Sequence, residues 1–174
     1  MNKMRVLFCD IDGVLNFAEY GDDTYYDKYY GKEVALDDEC IERLKRLLER
    51  FPDLKIVWST DWRFLEDDYW YAWKHPLKHL EATYQWLKDR VIGKTPKKMS
   101  SERWHEVKWW LDKNASNNEL DGYVVIDDLK FPEPWFGIEK HIVWTDHCKG
   151  FTEENLQQAI EILEHGGGYV KKKV

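Results

Sequence analysis

Two pairs of aspartates stand directly after short apolar runs of the chain. Asp10 and Asp12 follow one run of four apolar residues, and Asp127 and Asp128 follow another. Side chains alternate along an extended strand, so Asp10 and Asp12 should point the same way beyond the strand end. Converging carboxylates suit Mg²⁺ and leave an oxygen free to act as a nucleophile. The plainer alternative is that Asp-x-Asp-Gly starts a turn, because both residue types are common there.

Hydroxyl side chains end another predicted strand. Ser59 and Thr60 come directly after the apolar run that ends at Trp58, and Arg63 follows within the next few residues. The carboxyl ends of parallel strands meet at one edge of the sheet, where ligands bind, so we expect these residues near Asp10. The planar guanidinium of Arg63 suits phosphate, although arginine also fits a surface position at the start of a helix.

The order of these elements resembles the haloacid-dehalogenase-like (HAD) phosphohydrolase superfamily. Its pattern is a strand ending in Asp-x-Asp, a strand ending in Ser or Thr, a Lys or Arg, and a strand ending in acidic residues. The resemblance extends from residue 5 to about residue 165. It is closest to the small or capless branch associated with RNA-repair proteins and polynucleotide kinase-phosphatase. Two segments resemble the RNA-repair branch, Gly93-Lys94-Thr95-Pro96 and Arg103-x-x-Glu106-Val107, and Thr60-Asp61-Trp62-Arg63 resembles the Thr-x-Trp signature of some branches of the superfamily.

The resemblance implies a role for each acidic residue. Asp10 would attack a phosphoryl group and form an aspartyl-phosphate. Asp12 would protonate the leaving group and then activate water, as a carboxylate can do by changing its protonation state. Asp10, Asp127 and Asp128, together with the backbone carbonyl of Asp12, would surround Mg²⁺.

The resemblance also implies a hydroxyl donor and a basic residue. Thr60 is expected to donate to the phosphoryl oxygens, with Ser59 as the alternative because a predicted strand end is uncertain by one residue. Lys108 is expected to offset the charge of the phosphoryl group, with Lys94 and Arg103 as rivals. The other expected substrate-binding residues are Ser59, Arg63, Lys94 and Arg103.

Composition limits the class of protein. The chain has 174 residues with a net charge of −7, which predicts one well-packed domain and no broad basic surface for nucleic acid. No apolar run is long enough to span a membrane, and a cytoplasmic location is expected. Three cysteines without a Cys-x-x-Cys pair are expected to stay reduced. A single domain over residues 1–174 is predicted, with a flexible basic tail at about 166–174.

Strands that alternate with helices predict an α/β fold, a Rossmann-like parallel sheet with helices on both faces. The segments on either side of the second predicted strand leave little room for a large cap domain. The strands are predicted at residues 5–9, 55–59, 122–127 and 141–144.

The predicted function is a Mg²⁺-dependent phosphatase that hydrolyses a phosphomonoester, with nucleotides and polynucleotide ends as candidate substrates. Two alternatives remain open at this point. A phosphotransferase would use the same residues but pass the phosphoryl group to an acceptor other than water. A non-catalytic HAD-like module would only bind a phosphorylated partner.

Overall fold

A parallel sheet forms the centre of the molecule. The structure, a computed structural model, describes residues 4–18, 35–67, 76–96, 102–114, 120–130 and 137–169. Within these ranges the strands lie in the order β3-β2-β1-β4-β5, and all four pairings are parallel. The strands are β1 (Met4–Cys9), β2 (Leu54–Trp58), β3 (Val91–Lys94), β4 (Leu120–Asp127) and β5 (Ile142–Trp144).

Helices connect the strands and cover both faces of the sheet. The helices of the described ranges are α1 (Asp38–Arg50), α2 (Pro76–Thr83), α3 (Arg103–Asn114) and α4 (Glu153–His165), with 3₁₀ turns at Asp61–Asp67, Gln85–Leu87 and Glu139–His141. None of these helices combines the length and the apolar character needed to cross a membrane.

The alternation of side chains along β1 divides the core into two layers. Leu7 and Cys9 pack against the apolar faces of α1, α2 and α4. Val6 and Phe8 point to the other face and pack against α3, where the ring of Phe8 meets Trp110 edge to face at 5.3 Å. Both faces of the sheet are therefore buried, which confirms the predicted Rossmann-like α/β architecture.

Side-chain caps fix where two of the helices begin. The carboxylate of Asp37 accepts hydrogen bonds from the backbone N–H groups of Glu39 and Cys40 at the start of α1. Thr152 and Asn155 form a reciprocal capping box at the start of α4. The two helices therefore begin at Asp38 and Glu153.

Two features of the fold differ from the sequence prediction or extend it. β3 was not predicted. It pairs with β2 and is an edge strand of the sheet. Tyr169, inside the predicted tail, donates a hydrogen bond to Asp112 Oδ1 at 2.6 Å. Residues 170–174 of that tail lie outside the described residues. The described ranges contain no cap domain, and residues 19–34 and 68–75 lie outside them.

Candidate active site

Backbone pairing brings the ends of three strands together at the carboxyl edge of the sheet. Cys9 pairs with Ile126, and the N–H of Asp10 donates to the carbonyl of Ile126 at 3.0 Å. The N–H of Ser59 donates to the carbonyl of Cys9 at 2.8 Å. Asp10, Ser59 and Asp127 are therefore neighbours in three adjacent strands, as the sequence pattern predicted.

Three carboxylates converge at this edge. One oxygen from each of Asp10, Asp127 and Asp128 lies within 4.8 Å of the other two. Asp10 and Asp127 are buried, and Asp127 Oδ2 has no hydrogen-bond partner among the described residues. Gly13 makes room for the third carboxylate, because a Cβ at this position would lie 2.4 Å from Asp128 Oδ2. Its φ of 74° is also one that glycine favours.

Crowding and burial change the acidity of these groups. Burial raises the pKa of Asp10 well above its usual value, and the nearby charge of Asp127 raises it further. Burial likewise raises the pKa of Asp127, to about 7, against the lowering effect of Arg103. An all-oxygen donor set with an unpartnered buried oxygen fits a hard divalent cation such as Mg²⁺.

Asp12 is held apart from this cluster. Its Oδ1 accepts a hydrogen bond from Asn16 Nδ2 at 2.8 Å, and its Oδ2 accepts one from the indole N–H of Trp62 at 2.9 Å. Burial raises the pKa of Asp12, although both hydrogen bonds lower it. Asp12 is therefore fixed in position, and it stays protonated to a higher pH than an exposed aspartate does, as a general acid requires.

Arg103 supplies a positive charge to the carboxylates. Its Nη2 lies 3.7 Å from Asp10 Oδ2 and 3.2 Å from Asp61 Oδ1, and its Nε lies 3.9 Å from Asp127 Oδ2. Its Nη1 donates to the carbonyl of Ser59. Burial works against the charged form, but Asp10 and Asp127 outweigh it and raise the pKa of Arg103. Arg103 is thus a permanent cation beside the acidic cluster.

The position of Arg103 follows from the direction of α3. This helix leads into β4, so its first residue lies at the carboxyl edge of the sheet. Lys108 is five residues further along, which is about 7.5 Å along the helix axis away from that edge. Lys108 is half-buried, and in the described part of the chain no ion pair within 4.0 Å joins it to the three carboxylates. Lys94 is exposed and ends β3, paired with Trp58.

Both candidate hydroxyl residues are fully buried at the end of β2. Thr60 Oγ1 accepts a hydrogen bond from the N–H of Trp62 at 3.3 Å. Ser59 Oγ is buried without a hydrogen-bond partner in the described ranges. The geometry therefore leaves both hydroxyls as candidate donors to a phosphoryl group.

Arg63 makes its contacts inside the protein. Its Nη2 pairs with Glu106 Oε2, and its Nη1 donates to the carbonyl of Thr60. The side chains of Arg63 and Glu106 are each only 2% exposed. This guanidinium therefore contacts the backbone of β2's end, whereas the sequence predicted a contact with substrate.

Three residues of the site were not assigned a role from the sequence. Asn16 and Trp62 hold Asp12, and Glu106 holds Arg63. Trp62 and Glu106 belong to segments that carry the family resemblance. The sequence therefore singled out these two residues but did not show that they contact Asp12 and Arg63. Asn16 offered only its spacing of four residues from Asp12 as a signal.

The parallel sheet, with its Asp-x-Asp, hydroxyl, arginine and Asp-Asp groups at one edge, defines a HAD-like α/β protein. The profile of the family described as "HAD domain in Swiss Army Knife RNA repair proteins" matches residues 6–156, and the chain belongs to this family. Comparisons with curated proteins and with solved structures gave no match. Membership supports a HAD-family phosphohydrolase or related enzyme in general, the class predicted from the sequence.

Proposed function

We propose that this protein is a Mg²⁺-dependent phosphatase that hydrolyses a phosphomonoester through an aspartyl-phosphate. The observation that carries the proposal is the convergence of Asp10, Asp127 and Asp128 within 4.8 Å, with the guanidinium of Arg103 against two of them. Purely structural carboxylates are seldom buried together with so little compensation, whereas catalytic sites commonly contain such groups.

In the proposed reaction, an oxygen of Asp10 attacks phosphorus and the bond to the leaving oxygen breaks. Asp12 gives its proton to that oxygen, and the hydrogen bonds from Asn16 and Trp62 keep the carboxyl group in place. Ionised Asp12 then takes a proton from water as the water attacks the aspartyl-phosphate. The attack of this water on phosphorus regenerates the Asp10 carboxylate and releases inorganic phosphate.

Two further groups act on the phosphoryl oxygens. Arg103 offsets their negative charge, a role in which its position favours it over Lys108, the residue predicted from the sequence. The hydroxyl of Thr60 or Ser59 donates a hydrogen bond to a phosphoryl oxygen. Mg²⁺ held by Asp10, Asp127, Asp128 and the carbonyl of Asp12 would offset the remaining charge and orient the phosphoryl group.

The proposed substrates are nucleotides or phosphorylated polynucleotide ends. The family description refers to RNA repair, and the described ranges contain no cap domain. A phosphotransferase with the same residues is the second candidate, because an acceptor hydroxyl could replace water at the aspartyl-phosphate. We further propose that the protein acts in the cytoplasm.

The test is a screen of the purified protein against p-nitrophenyl phosphate, nucleotides and oligonucleotides with 3′- or 5′-phosphates. We expect phosphate release with Mg²⁺, little with Ca²⁺, which takes more ligands at longer distances, and none in EDTA. Undiminished turnover in EDTA would overturn the metal requirement. Release of p-nitrophenol only when an added alcohol or nucleotide acceptor is present, with the phosphoryl group recovered on that acceptor, would favour the phosphotransferase.

Lys94 tests the nucleic-acid part of the proposal. It is exposed at the end of β3, so Lys94→Ala should raise KM for an oligonucleotide and weaken its dependence on salt, while p-nitrophenyl phosphate is turned over as before. Lys97, three residues further along the chain, lies outside the described residues. Equal loss on both substrates would instead place Lys94 in the reaction itself.

A further inference from the structure

The ion pair between Arg63 and Glu106 is buried between two separate elements. Arg63 belongs to the turn Asp61–Asp67 and Glu106 to α3. Both side chains are 2% exposed. A buried ion pair is weak evidence for stability, because apolar residues of similar volume often do as well in its place. The pair therefore calls for an explanation other than stability.

Two neighbouring carbonyl groups at the end of β2 are each held by a guanidinium. Arg63 donates to the carbonyl of Thr60, and Arg103 donates to the carbonyl of Ser59. Glu106 stands three residues after Arg103, on the adjacent turn of α3. The peptide segment that carries both candidate hydroxyls is thus fixed to α3 in two ways. Arg103 of α3 contacts it directly, and Arg63 contacts it while pairing with Glu106 of α3.

Arg63 and Arg103 also share an acidic neighbour, Asp61. Arg63 Nη1 lies 3.7 Å from Asp61 Oδ1, the same oxygen that Arg103 Nη2 contacts at 3.2 Å. Burial and the charge of Arg103 lower the pKa of Arg63, whereas Glu106 raises it. Without Glu106, Asp61 would be the one acidic partner of the buried Arg63 guanidinium that remains within the described ranges, and Arg63 would compete with Arg103 for it.

We propose that Glu106 and Arg63 are positioning residues for the phosphatase reaction. They hold the Ser59–Thr60 backbone and keep Arg103 directed at Asp10 and Asp127. The proposal rests on the proposed function, and it assigns Arg63 to the backbone instead of the substrate. Neither residue touches the reacting atoms in this arrangement.

Kinetics of three variants test the proposal on p-nitrophenyl phosphate with Mg²⁺. Glu106→Gln should lower kcat by about tenfold or more, because small displacements of reacting groups are costly. Arg63→Lys keeps the charge but replaces the two Nη atoms, which donate separately to the Thr60 carbonyl and to Glu106, with a single ammonium nitrogen, so kcat should fall there too. In both, KM should change by less than about twofold.

The double variant Arg63→Met/Glu106→Met separates positioning from stability. Each single substitution at a buried ion pair leaves the partner's charge without compensation and should lower the thermal midpoint. The double variant removes both charges, so its thermal midpoint should return toward the wild-type value. Its kcat should stay low, because the Thr60 carbonyl has lost its side-chain donor and keeps only the backbone N–H of residue 63 at 3.4 Å. Recovery of kcat together with the thermal midpoint would overturn the proposal. The matched control is Arg46→Met/Glu153→Met, which removes an exposed pair of 2.7 Å between α1 and α4 and should leave kcat unchanged.

A measurement without turnover keeps this test distinct from that of the proposed function. The Nε–H resonance of Arg103 in ¹H–¹⁵N spectra can be assigned by its loss in Arg103→Lys. It should shift in the double methionine variant, and an unchanged resonance would overturn the positioning role. If the wild-type protein hydrolyses no phosphomonoester, the proposed function fails, and this resonance still decides the role of Glu106 and Arg63.

Discussion

Charged side chains are partly exposed at the amino edge of the parallel sheet and buried at its carboxyl edge. At the amino edge, Arg5 pairs with Asp53 at 2.7 Å and with Asp121 at 3.4 Å, and all three side chains are partly exposed. At the carboxyl edge, Asp10 and Asp127 are buried, and both share a single contacting guanidinium, that of Arg103, among the described residues.

This difference distinguishes charged groups that stabilise the fold from charged groups that belong to the candidate active site. Charged groups at the amino edge are partly solvated and pair with opposite charge, so they stabilise the fold modestly. Negative charges at the carboxyl edge repel one another and lose hydration, so they weaken the metal-free fold. Such local destabilisation is typical of a functional site, where a ligand supplies the missing compensation.

The largest expected effect comes from Asp10→Asn. This substitution removes the nucleophile but keeps the shape of the side chain, so kcat should fall by at least about 10³-fold. Because the pKa of Asp10 is raised, its ionised form destabilises the fold at neutral pH, and the variant should melt at a higher temperature in EDTA. Steady-state kinetics and thermal unfolding measure the two effects. Normal turnover by the folded variant, or a lower melting temperature, would break the comparison between the edges.

The next effect distinguishes Arg103 from Lys108. Arg103→Ala should lower kcat by about 10²-fold, the scale for losing one preorganised charge partner. Lys108→Ala should change kcat far less, and Lys113→Ala on the same helix serves as a control for changes in α3. The reverse ranking of the first two variants would restore Lys108 to the role predicted from the sequence.

A smaller effect is expected at the amino edge. Arg5→Ala removes two partly exposed ion pairs and a cation–π contact with Phe51 at 5.2 Å, so the free energy of unfolding should fall by about 1 kcal/mol. Urea unfolding measures it, and the loss should shrink in high salt. Turnover should not change, so a fall in kcat would contradict the separation of the two edges.

The smallest effect concerns pH and His141. The ring is buried against Tyr123 at a centroid distance of 3.9 Å, and burial lowers the pKa of His141 below its usual value. The unfolded chain therefore binds the proton more readily, so the stability that depends on neutral His141 is lost as pH falls through about 6.5. His141→Phe should reduce this acid sensitivity in unfolding curves at pH 8 and pH 5. His165→Phe, at an exposed position, should leave it as it is.

The sequence predicted the parts of the fold that local pattern determines. The apolar runs before Asp10, Ser59 and Asp127 predicted β1, β2 and β4, because strands buried on both faces are continuously apolar. β3 was missed because its four residues are half-buried or exposed and include Gly93, so they lack that signal. Edge strands have this character because only one side is paired.

Contacts between distant segments could not be predicted in the same way. The pairing of Arg63 with Glu106 depends on how α3 docks, which residue types alone do not give. The choice between Arg103 and Lys108 depends on which residue begins α3. The sequence thus supplied the candidates, and tertiary packing ranked them by distance.

The central place of β1 in the sheet has a consequence for the order in which the molecule is assembled. Of the five described strands, synthesis produces β1 first and its neighbour β2 next, but its other neighbour, β4, is produced only after β3 and α3. Until then, one side of an apolar strand has unpaired backbone groups, a state that is prone to aggregation. Asp10 and Asp127 meet only when that gap closes, so a nascent chain remains without its acidic cluster until β4 has left the ribosome.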